Sequence, residues 1–135
     1  MKLRRILVVD DNDDDLFFAQ IILTSAGVAA DVTLKETGPI ALDYLASPQG
    51  QEVDIVLLDI NMPEMSGFEF LDLYQPLYDQ GLARAPVVMH SSSSAPADKS
   101  RATTYGCVRG YLVKPISKVT AQSLVQMATE LRPAE

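Results

Sequence analysis

Short apolar runs punctuate the chain at Ile6–Val9, Val53–Leu58, Pro86–Met89 and Val108–Val113, with a weaker alternating run at Ala29–Leu34. Runs this short and this continuous suit strands covered on both faces, the pattern of a parallel sheet. Longer segments with helical spacing lie between them. Residues 14–26 are rich in Leu, Phe and Ile and stop at Gly27, which suits the left-handed turn that closes a helix. Phe18, Ala19, Ile22, Leu23 and Ala26 predict its core-facing stripe, with Phe17 and Ile21 at the surface beside it and Leu16 near its acidic start. Thr37 is placed to cap a helix carrying Ile40, Ala41, Tyr44 and Leu45, which Ser47-Pro48 ends. Ser66-Gly67-Phe68-Glu69 has the form of a capping box, with Phe70, Leu71, Tyr74, Leu77 and Tyr78 behind it. Pro76 lacks a backbone donor and is expected to kink or end that helix. Pro96 suits the first turn of a helix over 96–105, and Val119, Leu124, Val125, Met127 and Leu131 mark a last amphipathic helix over 117–131.

Strand and helix thus alternate five times. That order predicts an α/β fold, a doubly wound parallel sheet with right-handed crossovers and helices on both faces. Ligands of such folds sit beyond the carboxyl ends of the strands, so the chemistry is sought in the residues that follow each strand.

Composition narrows the function classes. The 135 residues suit one domain, 1–135, and 47% hydrophobic content supplies a core. A net charge of −7 argues against nucleic acid as the main ligand. No apolar stretch approaches the roughly 20 residues of a membrane span. The lone Cys107 cannot form an internal disulfide, and the first strand follows directly on the N-terminus, so a cytoplasmic location is expected. The charge is lopsided: residues 1–83 hold 15 acids and 4 bases, residues 84–135 hold 3 acids and 7 bases. Such asymmetry most often marks a solvated surface, but it can also separate an acidic site from a different contact face.

The acids gather where the topology predicts a site. The first strand runs into Asp10-Asp11, the third into Asp59, the fourth into His90-Ser91-Ser92 and the fifth into Lys114-Pro115. Carboxylates crowded at one sheet edge repel, and a hard divalent cation relieves the repulsion. Magnesium fits, since it takes one or two carboxylates together with waters and phosphate oxygens. Lys114 adds a second positive charge, and an X-Pro bond such as Lys114-Pro115 is one that can adopt the cis form. A carboxylate held at the end of an apolar strand can act as a nucleophile and form an aspartyl-phosphate. Phosphoryl transfer then needs mainly positioning and charge neutralisation. Asp59 is the candidate nucleophile, Ser91 a hydrogen-bond donor, and Pro63 and Gly67 shape the loop beside Asp59. Asp13, Asp14 and Asp15 read instead as helix-start charges, each favoured by about 0.3–1 kcal/mol there. Ser93 and Ser94 read as loop, and His90, the single histidine, as a packed strand residue.

The segments "ILVVDDN", "VDIVLLDINMPEMSGFEFL", "PVVMHSS" and "GYLVKPIS" follow one another over essentially the whole chain. Together they resemble the receiver domain of the two-component response-regulator family. The resemblance implies a flavodoxin-like (βα)5 receiver fold with strand order 2-1-3-4-5. It implies phosphoryl transfer to Asp59 from a histidine kinase or a histidine phosphotransfer protein. Mg2+ would be held directly by Asp11, Asp59 and the backbone carbonyl of Asn61, with Asp10 acting largely through water. Ser91 and Tyr111 would form a switch in which the loop after the fourth strand moves inward and the Tyr111 ring turns from outward to inward. Lys99, Arg101, Arg109 and Lys118 would then face an acidic partner. Phe17 and Ile21 are the candidate docking patch for the phosphodonor. Asn61 and Ser93 stand at positions that tune phosphoryl lifetime in the family, and His90 stands where it usually has an aliphatic residue.

The expectation is therefore a single-domain response regulator with no output domain, a monomer or weak dimer that signals by binding a protein target or by relay. Any catalysis would be limited to self-phosphorylation from small donors and autodephosphorylation.

Other chemistries fit less well. Asp11-Asn12-Asp13 matches the Asp-x-Asp of haloacid-dehalogenase phosphatases, but Asp15 replaces the Thr or Val expected there, and Asp59 and Lys114 have no role. A calcium loop starting at Asp10 fails at its sixth position, Asp15, and at its twelfth, Ile21. No Gly-rich phosphate loop is present. The remaining alternative is a receiver-like interaction module that works without phosphorylation. Retention of both pocket acids, the phosphoacceptor and the lysine favours the phosphorylated reading.

Overall fold

Each apolar run becomes a strand whose alternate side chains feed two separate cores. The computed structural model describes residues 2–129. The strands are β1 (Leu3–Val9), β2 (Ala29–Lys35), β3 (Val53–Leu58), β4 (Val87–Ser91) and β5 (Val108–Val113). The helices are α1 (Asp13–Ala26), α2 (Gly38–Ala46), α3 (Gly67–Asp79), α4 (Pro96–Ala102) and α5 (Lys118–Thr129), with a short 3-10 turn at Gln49–Glu52. All pairings are parallel and the order is β2-β1-β3-β4-β5, the doubly wound receiver arrangement.

Leu7, Val9, Val56, Leu58, Val87 and Met89 point to one face, where Ala41, Leu45, Phe68, Leu71 and Tyr74 of α2 and α3 cover them. Ile6, Val8, Ile55, Leu57 and Val88 point to the other, against Leu16, Ala19 and Leu23 of α1 and Ala121 and Leu124 of α5. Burying each such side chain contributes about 1.5–3 kcal/mol, which is what holds the three central strands rigid beneath the site.

The helix starts follow local chemistry. Asn12 Oδ1 accepts the Asp15 amide at 3.0 Å, and Thr37 Oγ1 the Ile40 amide at 3.3 Å. Ser66 and Glu69 exchange both bonds of the capping box, at 3.2 and 3.0 Å. Gly27 closes α1 at φ 67°.

Several expectations are corrected. The buried stripe of α1 is Leu16, Ala19 and Leu23; Ile22 and Ala26 flank it, and Phe18 is 44% exposed. The i, i+3, i+7 phase begins at Leu16, which turns Phe18 out toward Phe17 and Ile21. Helix α3 continues through Pro76 to Asp79 because Tyr74 is anchored by its hydroxyl to the Ala85 carbonyl (2.8 Å) and Tyr78 packs on the core. Only one intrahelical donor is lost there, near the helix end. Helix α4 stops at Ala102, not near 105. The hydroxyls of Thr103 and Thr104 donate to the Ser100 and Arg101 carbonyls at 2.7 Å each and compete with continued helix. Val119 is 76% exposed and takes no part in the core. Leu131 lies outside the described residues.

Candidate functional site

The carboxyl ends of β1, β3 and β5 place four charged side chains together. Asp10 follows β1, is 1% exposed, and accepts the Asn12 amide on Oδ1 at 3.0 Å. Asp59 follows β3, is 6% exposed, and donates its amide to the Val9 carbonyl at 3.0 Å, which ties it to the end of β1. Asp11 beside them is exposed. Lys114 follows β5, and its Nζ donates to Asp10 Oδ2 at 2.6 Å and Asp15 Oδ2 at 2.8 Å, with Asp59 Oδ1 at 3.6 Å. The Lys114-Pro115 peptide is cis, and the Lys114 amide donates to the Ser91 carbonyl at 2.8 Å.

Asp15 is a site residue that sequence reasoning missed. It does stand in the first turn of α1, as expected, yet its side chain reaches across to Lys114. Three adjacent aspartates carry no sign of which one faces the pocket; only the phase fixed by the Asn12 cap decides it.

Burial pushes the Asp59 carboxyl up to about 6, and the neighbouring Asp10 adds to the rise against the pull of Lys114. Burial alone would lower Lys114, but its hydrogen bonds to Asp10 and Asp15 outweigh it and hold the ammonium above its ordinary value. The two aspartates thus favour the charged form of the lysine.

The loop after Asp59 is tightly built. Glu64 sits at φ 68° with the Met65 amide closing back on the Pro63 carbonyl at 2.7 Å. Gly67 donates to the Ile60 carbonyl at 2.8 Å, and a Cβ there would collide with the Asp59 carbonyl oxygen. Asn61 is exposed on this loop, two residues past Asp59.

Ser91 is fully buried at the end of β4, and its Oγ accepts the Ser93 amide at 3.1 Å. Tyr111 on β5 pairs with Met89, and its hydroxyl donates to the Ser93 carbonyl at 2.8 Å. Ser93, read as plain loop, is therefore the link between the two expected switch residues, and its own hydroxyl is fixed on Asp98 at 2.6 Å. The expected outward resting position of Tyr111 is corrected: the ring is half-buried and tethered to this loop, with Lys99 Nζ 5.9 Å above it. Of the basic residues expected to face a partner, Lys99, Arg101 and Lys118 are exposed. The Arg109 guanidinium is engaged with the Met127 carbonyl and the Tyr78 hydroxyl.

A family model described as the response regulator receiver domain matches residues 6–127. The chain belongs to the response regulator receiver family. The receiver is 33% identical over 125 residues to the two-component response regulator ORR1 of Oryza sativa subsp. japonica, covering 89% of this chain and 53% of that protein. It is 36% identical over 114 residues to a probable cyclic di-GMP phosphodiesterase of Vibrio cholerae, covering 83% of this chain and 23% of that protein. The chain thus spans about half or less of the length of these curated relatives. Among solved structures it resembles a two-component response regulator from Cytophaga hutchinsonii, with a TM-score of 0.85, 26% identity, and coverage of 95% and 98% of the two chains. It also resembles the bacteriophytochrome response regulator AtBRR, with a TM-score of 0.76, 29% identity and full coverage of both. Receivers are generally the phosphoacceptor domains of two-component signalling, and this chain has the size of one such domain.

Members of the family generally bind magnesium in an acidic pocket. In this receiver Asp10, Asp11 and Asp59 each offer an oxygen, all within 4.8 Å of one another. An all-oxygen, strongly anionic donor set fits that ion. No helix among the described residues is long and apolar enough to cross a membrane.

His90 is 4% exposed on β4, and its Nε2 has no hydrogen-bond partner. Burial, with Lys114 nearby, pushes the imidazole down to about 4, so it stays neutral. His90→Leu is expected to raise stability by about 1–3 kcal/mol by removing an unsatisfied buried group. The unfolded wild type gains a proton below its ordinary value of 6.5, whereas the native state does not until about 4, so the gain widens as pH falls. Urea unfolding of both proteins at pH 7.5 and pH 5 checks this; a wild type equal to the variant at both would overturn it.

Phe17 and Ile21, 59% and 63% exposed, form an apolar patch on α1 with Phe18, close in sequence to Asp11 and Asp15.

Proposed function

We propose that this receiver takes a phosphoryl group onto Asp59 from a histidine kinase or histidine phosphotransfer protein and signals by phosphorylation-dependent protein binding or relay. The convergence of Asp10, Asp59 and Lys114 from the ends of three different strands carries this reading. In the transfer the donor's P–N bond breaks as a bond forms from an Asp59 carboxylate oxygen to phosphorus. Asp11, Asp59 and the Asn61 carbonyl would hold magnesium directly, with Asp10 acting largely through water, and the ion would supply charge against the phosphoryl oxygens. Lys114 supplies a further positive charge, and the Ser91 hydroxyl a hydrogen bond. Gly67 and the Asp59–Val9 bond keep the nucleophile fixed in place. A Ser91 that turns toward the phosphoryl group loosens the Ser93 amide, and with it the carbonyl that tethers Tyr111. That path carries the change to the α4–β5 surface. The α1 patch, Phe17 and Ile21 with Phe18, is the docking face for the phosphodonor.

Incubation with acetyl phosphate and magnesium, read by intact mass, is the test. One phosphoryl group is expected on the wild type, none after chelation of the metal and none on Asp59→Asn. Full labelling of Asp59→Asn would overturn the site, and an unlabelled wild type would leave a receiver-like interaction module as the reading.

A further inference from the structure

Resting on the phosphoacceptor reading above, we propose that Asp15 is a positioning residue that holds Lys114 in the resting pocket and yields it to the phosphoryl group. An ammonium has three N–H donors. Two of them serve Asp10 Oδ2 at 2.6 Å and Asp15 Oδ2 at 2.8 Å, while Asp59 Oδ1, at 3.6 Å, lies beyond hydrogen-bond reach. The lysine is thus drawn to one side of the acceptor carboxylate. Its third N–H is left for an oxygen of a phosphoryl group on Asp59, and a shift toward that oxygen strains the two bonds it already makes.

The two bonds differ in what their loss entails. The Asp10 side chain is 2% exposed, so a departing lysine would leave a charge in the protein interior with little water to replace it. The Asp15 side chain is 41% exposed, so water takes the lysine's place there at little expense. Asp15 is therefore the contact that gives way. Asp13 and Asp14 share its helix turn, but among the described residues neither forms an ion pair with Lys114. The effect belongs to one position rather than to acidic charge at the helix start.

The experiment compares wild type, Asp15→Asn, Asp15→Glu and Asp14→Asn in two measurements. The first is beryllium fluoride affinity, a phosphoryl mimic, at saturating magnesium. Asp15→Asn is expected to bind about two- to fivefold more tightly, the range for loss of a part-exposed competing ion pair. Asp15→Glu should stay near wild type, and Asp14→Asn should equal it. The second is the rate of acylation of the Lys114 amine by an amine-reactive ester, mapped by peptide mass without phosphate or metal. Lys35 and Lys99 serve as internal references. Asp15→Asn should raise the Lys114 rate severalfold and Asp14→Asn should not. An unchanged Lys114 rate in Asp15→Asn overturns the proposal, as does, where the wild type binds beryllium fluoride, unchanged or weaker binding in that variant. A raised Lys114 rate with no beryllium fluoride bound by any of the four proteins supports the hold on Lys114 and overturns the phosphoacceptor reading instead.

Discussion

Lys114→Met is expected to lower the stability of the metal-free protein by about 3–5 kcal/mol, the range seen when one partner of a buried ion pair is removed. The side chain is 12% exposed and stands between Asp10 and Asp59, whose side chains are 2% and 7% exposed. Without it two interior carboxylates face each other with no counter-charge. Magnesium bound as proposed would take the same oxygens, so adding it should restore much of the loss. A ligand present at a hundredfold its dissociation constant contributes about 2.7 kcal/mol. The increment from magnesium should be larger in Lys114→Met than in wild type, because the lysine no longer repels the cation. Urea unfolding of both proteins with and without magnesium reads all four values. Equal stability of the two metal-free proteins would show that Lys114 does not support the pocket.

The opposite substitution stabilises. Asp59 titrates near 6 in the folded protein against an ordinary 3.8, so the native state holds this proton more tightly than the unfolded chain. Below about pH 4 both states carry the proton and the carboxyl is neutral. Between about 4 and 6 stability falls as pH rises, and above 6 the full penalty stands, about 3 kcal/mol for a shift of about two units. Asp59→Asn is neutral at every pH. In the metal-free protein it is expected to gain about 3 kcal/mol at pH 8 and less than about 1 kcal/mol at pH 4. A difference that does not change with pH would mean that the gain comes from packing rather than charge. Combined with Lys114→Met, it should offset part of that variant's loss, since both act on one set of charges.

The fold was legible because a parallel sheet announces itself: from Ile55 to Leu58 β3 is apolar on both faces, and its run, Val53–Leu58, was read to the residue. Asp10, Asp59 and Lys114 were legible for a related reason, since each directly follows a strand and the topology sends strand ends to one edge. The losses came where a neighbour from another element decides. Nothing local in Asp13-Asp14-Asp15 tells that the third meets a lysine 99 residues away. The serine run after β4 hides which hydroxyl and which carbonyl join Ser91 to Tyr111, because that choice is made by the reach of a tyrosine from β5. Phe18 was misplaced by a single step of helical phase. Pro76 shows local propensity overruled by the burial of Tyr74 two residues before it.

Strand order also sets when the pocket can exist. Asp10 and Lys114 lie 104 residues apart in the chain, and β5 must dock on β4 before the lysine reaches either acid. Lys114 follows Asp59 by 55 residues, about 3–11 seconds of synthesis at about 5–20 residues per second. During that interval the emerging chain carries its aspartates without their counter-charge. Only once β5 has been made and docked on β4 can the pocket hold its full set of charges.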